Sequence, residues 1–180
     1  MTQIPRKAAF IDRDGTLIEE VNFLSRVEDL RLFSFTAEAV RLLKENGFLL
    51  IVITNQSGIG RKLFDESAMH AIHNKIQEDL GHGLDGFYFC PHLPDEGCVC
   101  RKPNLGMIEA ARADFDIDME NSWVIGDKII DIETGVNAGT STALVLTGYG
   151  HSARENLAQK PDVTAENLLE AVKVILGDEK

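Results

Sequence analysis

Five short apolar runs, Ala8–Ile11, Leu49–Ile53, Gly86–Phe89, Trp123–Ile125 and Ala143–Leu146, are spaced along the chain with no polar alternation inside them. A strand with one face in water alternates apolar and polar residues. An uninterrupted run of this length belongs to a strand covered on both faces, as in a parallel sheet. Parallel strands need connections long enough to hold a helix, and the segments between the runs have helical period. Thr36 is placed to cap a helix that turns Val40, Leu42 and Leu43 inward and stops at Asn46-Gly47, where glycine accepts the left-handed conformation. Asp65 is placed to cap a second, with Met69, Ile72, Ile76 and Leu80 on one stripe before Gly81. A third follows Asn104 and turns Ile108, Ala111 and Phe115 inward, and Asp131–Ala138 and Ala165–Leu176 read as the last two. The fold class expected is α/β, with a parallel sheet and right-handed crossovers.

At 180 residues the chain has the size of one ordinary domain, and no repeat, low-complexity stretch or linker divides it, so residues 1–180 are expected to fold as a single unit. Its 18 basic against 29 acidic residues give a formal charge of −11, which repels the phosphates of nucleic acid and the anionic face of a membrane. Neither is an expected partner. No apolar run approaches the ~20 residues of a membrane span. Met1–Lys7 is too short and too polar for the apolar core of a signal peptide, so the expected compartment is the cytoplasm. The three cysteines, an odd number confined to Cys90–Cys100, suit a metal site in a reducing compartment better than a disulfide framework.

Parallel sheets bind ligands beyond the carboxyl ends of their strands. There the first run is followed by Asp12-Arg13-Asp14-Gly15-Thr16, the second by Thr54-Asn55-Gln56-Ser57-Gly58, and the fourth by Gly126-Asp127-Lys128 with Asp131 beyond it. Carboxylates gathered on one rim raise one another's pKa unless a cation offsets them, and hard oxygen ligands suit Mg²⁺. A magnesium site is therefore expected. Cys90-Pro91-His92 and Cys98-Val99-Cys100 supply three thiolates and an imidazole, the ligand set of a closed, structural zinc tetrahedron. Arg101-Lys102-Pro103 follows at once, so zinc on this loop would fix two cations against the carboxylate rim.

Asp12-x-Asp14-Gly15-Thr16, Thr54-Asn55, Lys102 and Gly126-Asp127-x-x-x-Asp131 resemble, in order and in placement at strand exits, the four motifs of the haloacid dehalogenase (HAD) superfamily of phosphatases. That resemblance implies a Rossmann-like sheet and a Mg²⁺-dependent phosphomonoester hydrolase; some relatives add a large cap domain, but the gaps from Asp12 to Thr54 and from Thr54 to Lys102, read as one helix each plus short loops, leave no room for one. Asp12 is then the nucleophile that forms an aspartyl-phosphate. Asp14 protonates the leaving group and later deprotonates water, while Thr54 and Lys102 stabilise the transferring phosphoryl group. Asp12, the backbone carbonyl of Asp14 and Asp127 hold Mg²⁺, and Asp131 orients Lys102 or metal-bound water.

Cys-Pro-His followed by Cys-x-Cys-Arg-Lys-Pro resembles the branch that holds heptose bisphosphate phosphatases and histidinol-phosphate phosphatases. Thr54–Ile59 with Arg61, and Leu146-Thr147-Gly148-Tyr149-Gly150, lean toward the heptose side. The partner implied is a small phosphorylated sugar met by a monomeric enzyme, with histidinol phosphate as the alternative substrate. A catalytically inactive zinc-loop interaction module is the alternative from another class. Asn55, Arg101, Lys128, Asn22, Phe23 and Arg61 are the candidate substrate contacts, with Arg101 and Lys128 for a second phosphate. Asn22-Phe23 stands where heptose relatives often show Gly-Tyr. Arg13, Arg61, Lys62, Arg101, Lys102 and Lys128 all lie in or beside the motif loops, so the acidic total coexists with a locally cationic rim. His70, His73, His82 and His151 read as solvated.

Overall fold

A computed structural model describes residues 4–177; the first three residues of the polar Met1–Lys7 stretch lie outside it. Six strands, β1 (Arg6–Ile11), β2 (Leu49–Asn55), β3 (Gly86–Cys90), β4 (Ile117–Gly126), β5 (Ser141–Val145) and β6 (Val163–Ala165), form one sheet in the order β3-β2-β1-β4-β5-β6. Every neighbouring pair is parallel.

The uninterrupted apolar runs have a direct cause in this sheet. Ala9 and Ile11 of β1 join Leu50 and Val52 of β2 in a core on one face, and Ala8 and Phe10 join Leu49, Ile51 and Ile53 in a core on the other. With both faces covered, no position on these strands is left for a polar residue. Each fully buried isoleucine or phenylalanine contributes about 1.5–3 kcal/mol by leaving water. The first core is closed by α1 (Thr36–Glu45), α3 (Glu66–Asp79) and α7 (Leu168–Leu176), and the second by α4 (Gly106–Asp114). A third, smaller cluster joins α5 (Ile129–Ala138) and α6 (Gly150–Asn156) to β5. A single turn, α2 (Ser57–Gly60), follows β2.

Some local expectations differ from what forms. Thr36 does not cap α1; it is the first helical residue, and its hydroxyl donates instead to the carbonyl of Leu17 at 2.7 Å, tying the helix to the loop after β1. Asp65 does cap α3, accepting from the backbone N–H of Ala68 at 2.9 Å. The last helix begins at Leu168, because Asn167 caps it by accepting from Glu170 N and Ala165 ends β6. Neither β6, three residues long, nor α6, which buries only Gly150 and Ala153, carries a periodic apolar pattern.

The stretch between Asp12 and Thr54 holds a 3-10 turn (Val27–Asp29) and α1, and the stretch from Thr54 to Lys102 holds α2, α3 and β3, so no separate cap domain intervenes. Among the described residues no helix is long and apolar enough to cross a membrane. The order of strands reverses between β1 and β4. Loops leaving these two neighbours diverge and open a crevice at the carboxyl end of the sheet.

Candidate active site

Asp12 and Asp127 leave β1 and β4 side by side at this crevice. The backbone of Asp12 continues the pairing by donating to Ile125 O at 2.9 Å. Asp12, Asp127 and Asp131 are all buried, and one carboxylate oxygen from each lies within 4.8 Å of the other two. Gly15 and Gly148, both in the left-handed region with φ of +83° and +54°, allow this packing, since a Cβ at either would run into Asp127 Oδ2. Gly126 does the same for Asp131.

Lys102 is inserted between two of the acids. Its Nζ donates to Asp12 Oδ1 at 2.9 Å, Asp131 Oδ1 at 2.6 Å and Ile53 O at 2.9 Å, which satisfies all three of its protons. Burial opposes its charge, but Asp12 and Asp131 outweigh burial and raise its pKa above the ordinary lysine value. Burial also opposes ionisation of Asp12; Lys102 and then Lys128 overcome this and hold the carboxyl below its usual range. Asp131 is engaged at both oxygens, since Oδ2 accepts from Lys128 N at the start of α5. Asp131 thus links Lys102 to the start of α5.

Asp127 differs. Oδ2 accepts from Tyr149 N at 2.8 Å, while Oδ1 is buried with no hydrogen-bond partner. Burial and then the charge of Asp12 push its pKa up to about 8. A buried oxygen without a donor, beside two more carboxylates, is the arrangement a hard divalent cation satisfies, so the donor set fits Mg²⁺. Lys128 Nζ faces the same oxygens, 3.6 Å from Asp12 Oδ2, 3.6 Å from Asp127 Oδ1, 3.4 Å from Asp14 O and 3.1 Å from Glu20 Oε2.

Asp14 stands apart from this cluster. Arg13 grips it from two nitrogens, Nε to Oδ2 at 3.0 Å and Nη2 to Oδ1 at 2.9 Å. Gln56 Nε2 donates to Asp14 Oδ2 at 2.9 Å and also to Thr54 Oγ1 at 2.7 Å. Because Gln56 uses the acceptor side of the Thr54 hydroxyl, the proton of that hydroxyl is left to be donated elsewhere. Gln56 is not among the candidate residues that the sequence singles out. Gln56 lay inside a quoted motif, at the i+2 position from Thr54 that an extended strand end turns to the same side.

Arg13 is therefore not a free rim cation, and His73 is not solvated. Arg13 is 1% exposed and His73 is 4% exposed. Arg13 Nη1 lies 3.3 Å from His73 Nε2, and the imidazole stacks on Phe87 at 4.5 Å. Burial, then the charge of Arg13, lowers the His73 pKa to about 3, so the ring is neutral and accepts. The sequence carried the signal: His73 follows Met69 and precedes Ile76 at i+4 and i+7 spacing, on the inward stripe of α3. His70, His82 and His151 are exposed.

The cysteines and His92 gather as a second cluster of side chains that could hold a metal ion. Cys90 ends β3, and its Sγ lies 3.0 Å from Cys100 Sγ, 3.4 Å from Cys98 Sγ and 3.5 Å from His92 Nδ1; His92 Nδ1 lies 3.2 Å from Cys100 Sγ. All three cysteines are free. Bonds of about 2.3 Å to a central zinc put tetrahedral ligands roughly 3.7 Å apart, so these separations need only a slight outward movement. The ligand set fits a closed site. Immediately after it, Asn55 pairs with both backbone groups of Lys102, accepting from its N–H at 3.0 Å and donating to its carbonyl at 3.3 Å.

Beside the acids opens a cleft of about 110 Å³. Asn22, Phe23, Asn55 and Lys128 line it, together with Glu20 and Gln56. Arg61 is outside the lining and reaches it through Phe23, with its guanidinium carbon 5.8 Å from the ring centroid. Arg101 is also outside and donates to His92 O at 3.3 Å. Lys128 points into the acid cluster rather than toward open solvent.

This architecture is shared with known proteins. The family described as "HAD-hyrolase-like" matches residues 99–171. The D-glycero-D-manno-heptose-1,7-bisphosphate 7-phosphatase of Thermosynechococcus vestitus is 42% identical, over 96% of this chain and 96% of that protein. The D-glycero-beta-D-manno-heptose-1,7-bisphosphate 7-phosphatase of Haemophilus ducreyi is 35% identical over 94% of this chain and 98% of its own length. The crystal structure of D,D-heptose 1,7-bisphosphate phosphatase from B. bronchiseptica, complexed with magnesium and phosphate, superposes with a TM-score of 0.89 at 29% identity, covering 96% of this chain and 99% of that one. With its parallel sheet and its acids at the reversal of strand order, the chain belongs to the HAD-like phosphatases, in the family of the heptose-1,7-bisphosphate 7-phosphatases.

Proposed function

We propose that this phosphatase removes the 7-phosphate of D-glycero-D-manno-heptose 1,7-bisphosphate through a phosphorylated Asp12. The observation that carries the reading is the pairing of Asp12, ionised and held by Lys102, with a second carboxylate two residues on whose hydrogen bonds run elsewhere. The 42% identity to a heptose bisphosphate phosphatase over nearly the whole chain supports the substrate.

In the first step a carboxylate oxygen of Asp12 attacks phosphorus, the ester P–O bond breaks, and the departing sugar oxygen takes the proton of the Asp14 carboxyl. In the second, Asp14, now ionised, takes a proton from water; the water oxygen attacks phosphorus, and the bond to Asp12 breaks to release inorganic phosphate. Thr54 donates its hydroxyl proton to a phosphoryl oxygen. Lys102 fixes the rotamer of Asp12 and places its ammonium beside the phosphoryl oxygens. Asp12, the carbonyl of Asp14 and Asp127 would hold Mg²⁺, which supplies charge neutralisation between nucleophile and phosphate. Cys90, His92, Cys98 and Cys100 would hold zinc remote from the reacting atoms, with a structural role. Asn22, Phe23 and Asn55 at the cleft, Lys128 between the cleft and the acids, and Arg61 and Arg101 outside its lining are the candidate contacts to the sugar and its second phosphate.

Comparing kcat/KM for phosphate release from the heptose bisphosphate and from histidinol phosphate tests the substrate; a preference for histidinol phosphate overturns it. Asp12→Asn tests the mechanism. Measured at a temperature where it remains folded, the variant should lose phosphate release by at least about 10³-fold, and a variant that still turns over rapidly would sink the covalent route.

A further inference from the structure

Arg13 and His73 are buried polar side chains that the proposed chemistry leaves without a role. Burying a guanidinium is costly unless its donors are matched. Here all three nitrogens are matched: Nε and Nη2 by the two oxygens of Asp14 and Nη1 by the neutral imidazole of His73. The matching is directional. An acceptor on Nη1 fixes the plane of the guanidinium, so its other edge is presented as a fork to Asp14. His73 is itself held by stacking on Phe87 in β3, a strand of the rigid sheet. The chain of contacts runs from β3 through His73 and Arg13 to Asp14, and Gln56 is the other side chain on that carboxylate.

We infer that His73 and Arg13 are positioning residues for Asp14, the imidazole orienting the guanidinium and the guanidinium orienting the carboxyl group that exchanges a proton with the ester oxygen and with water. The inference rests on the acid–base role proposed for Asp14. An error of about 1 Å in the placement of a proton donor costs up to 10²-fold, and the loss falls where the leaving group needs a proton. A sugar alkoxide does; p-nitrophenolate leaves without one.

The test is kcat/KM for the heptose bisphosphate and for p-nitrophenyl phosphate in His73→Leu, His73→Gln and Asp14→Asn. His73→Leu removes the acceptor and should lower the rate on the sugar phosphate by about tenfold or more while changing the aryl phosphate by less than about threefold. His73→Gln keeps an acceptor and should restore most of the loss. Should His73→Leu fail to fold, Arg13→Lys, which keeps the charge and loses the fork, carries the same comparison. Equal losses on both esters, or no loss on either, would mean that the buried pair merely joins α3 to the loop after β1. Asp14→Asn separates the two claims. If it too fails to discriminate between the esters, the acid–base reading falls and the inference with it; if Asp14→Asn discriminates and the His73 and Arg13 variants do not, the inference alone falls.

Discussion

The ammonium of Lys102 and the carboxylate of Asp131 meet at 2.6 Å in the interior, and the other oxygen of Asp131 accepts from the backbone N–H of Lys128, the residue that precedes α5. Asp131 therefore faces two donors, one on each oxygen. An asparagine there must turn its own NH₂ toward one of them. We expect Asp131→Asn to leave one buried donor unmatched, at about 1–3 kcal/mol, and so to lower Tm by several degrees at the roughly 2–4 °C per kcal/mol of a domain this size. Loosening Lys102 should lower kcat by about 10²-fold with a smaller change in KM. Steady-state kinetics beside thermal unfolding check this; a variant with normal kcat would show that Asp131 does not act through Lys102.

Asp127 sets the response to pH. Its folded pKa of about 8 lies above the ordinary carboxylate value of 3.8, so between these limits the metal-free folded state keeps a proton that the unfolded chain has lost. Stability from this source is fully present below about pH 4 and is lost as pH rises through 8. The metal-free enzyme should therefore show a Tm contribution that declines across that window. The titration belongs to the acid cluster as a whole, so the comparison is made with Asp127→Asn, which should lack this slope. Mg²⁺ must displace the same proton, so its affinity should climb toward pH 8 and then level off. Melting curves with chelator and with excess Mg²⁺ at three pH values give both quantities, and parallel curves for the parent and Asp127→Asn would contradict the assignment.

Much of this was legible in the chain because strand exits are where sequence order and spatial order coincide. Asp12, Thr54 and Asp127 each follow an apolar run, and parallel pairing brings the ends of β1, β2 and β4 to one rim. What escaped was partnership. Arg13 reads as one more cation beside an acid motif, and only the packing of α3 over the β1 loop shows that its guanidinium is turned inward to Asp14 and His73. Lys128 sits at a loop tip in the sequence, yet the start of α5 aims it at the acids. Thr36 has the chemistry of a cap and the position of one, and its hydroxyl is captured by Leu17 O because the loop after β1 folds back across α1. Local pattern fixes which element a residue joins. Which neighbour takes its hydrogen bond is decided by tertiary packing that no window of sequence contains.

The loop for which zinc is proposed, Cys90–Cys100, is followed directly by Arg101 and Lys102, and that adjacency yields a last expectation. Cys100 Sγ touches the ligand atoms of Cys90, Cys98 and His92, and two residues later Lys102 is held by Asn55 through both backbone groups. Replacing Cys100 by serine should abolish stoichiometric zinc by elemental analysis and lower Tm, because the loop from Pro91 to Val99 would then be held only by scattered hydrogen bonds, from Gly60 N to Pro91 O, Arg101 to His92 O, Asn104 to Cys98 O and Gly106 N to Val99 O. The carboxylates that fit Mg²⁺ follow β1 and β4, whereas that loop follows β3, which is separated from β1 by β2. Loss of zinc should therefore leave the Mg²⁺ titration midpoint within about twofold while kcat falls by at least tenfold, since a misplaced lysine costs positioning rather than metal affinity. Equal loss of Mg²⁺ affinity and kcat would mean that zinc organises the whole crevice. An unchanged kcat in a zinc-free enzyme would mean that Asn55 alone suffices to place Lys102.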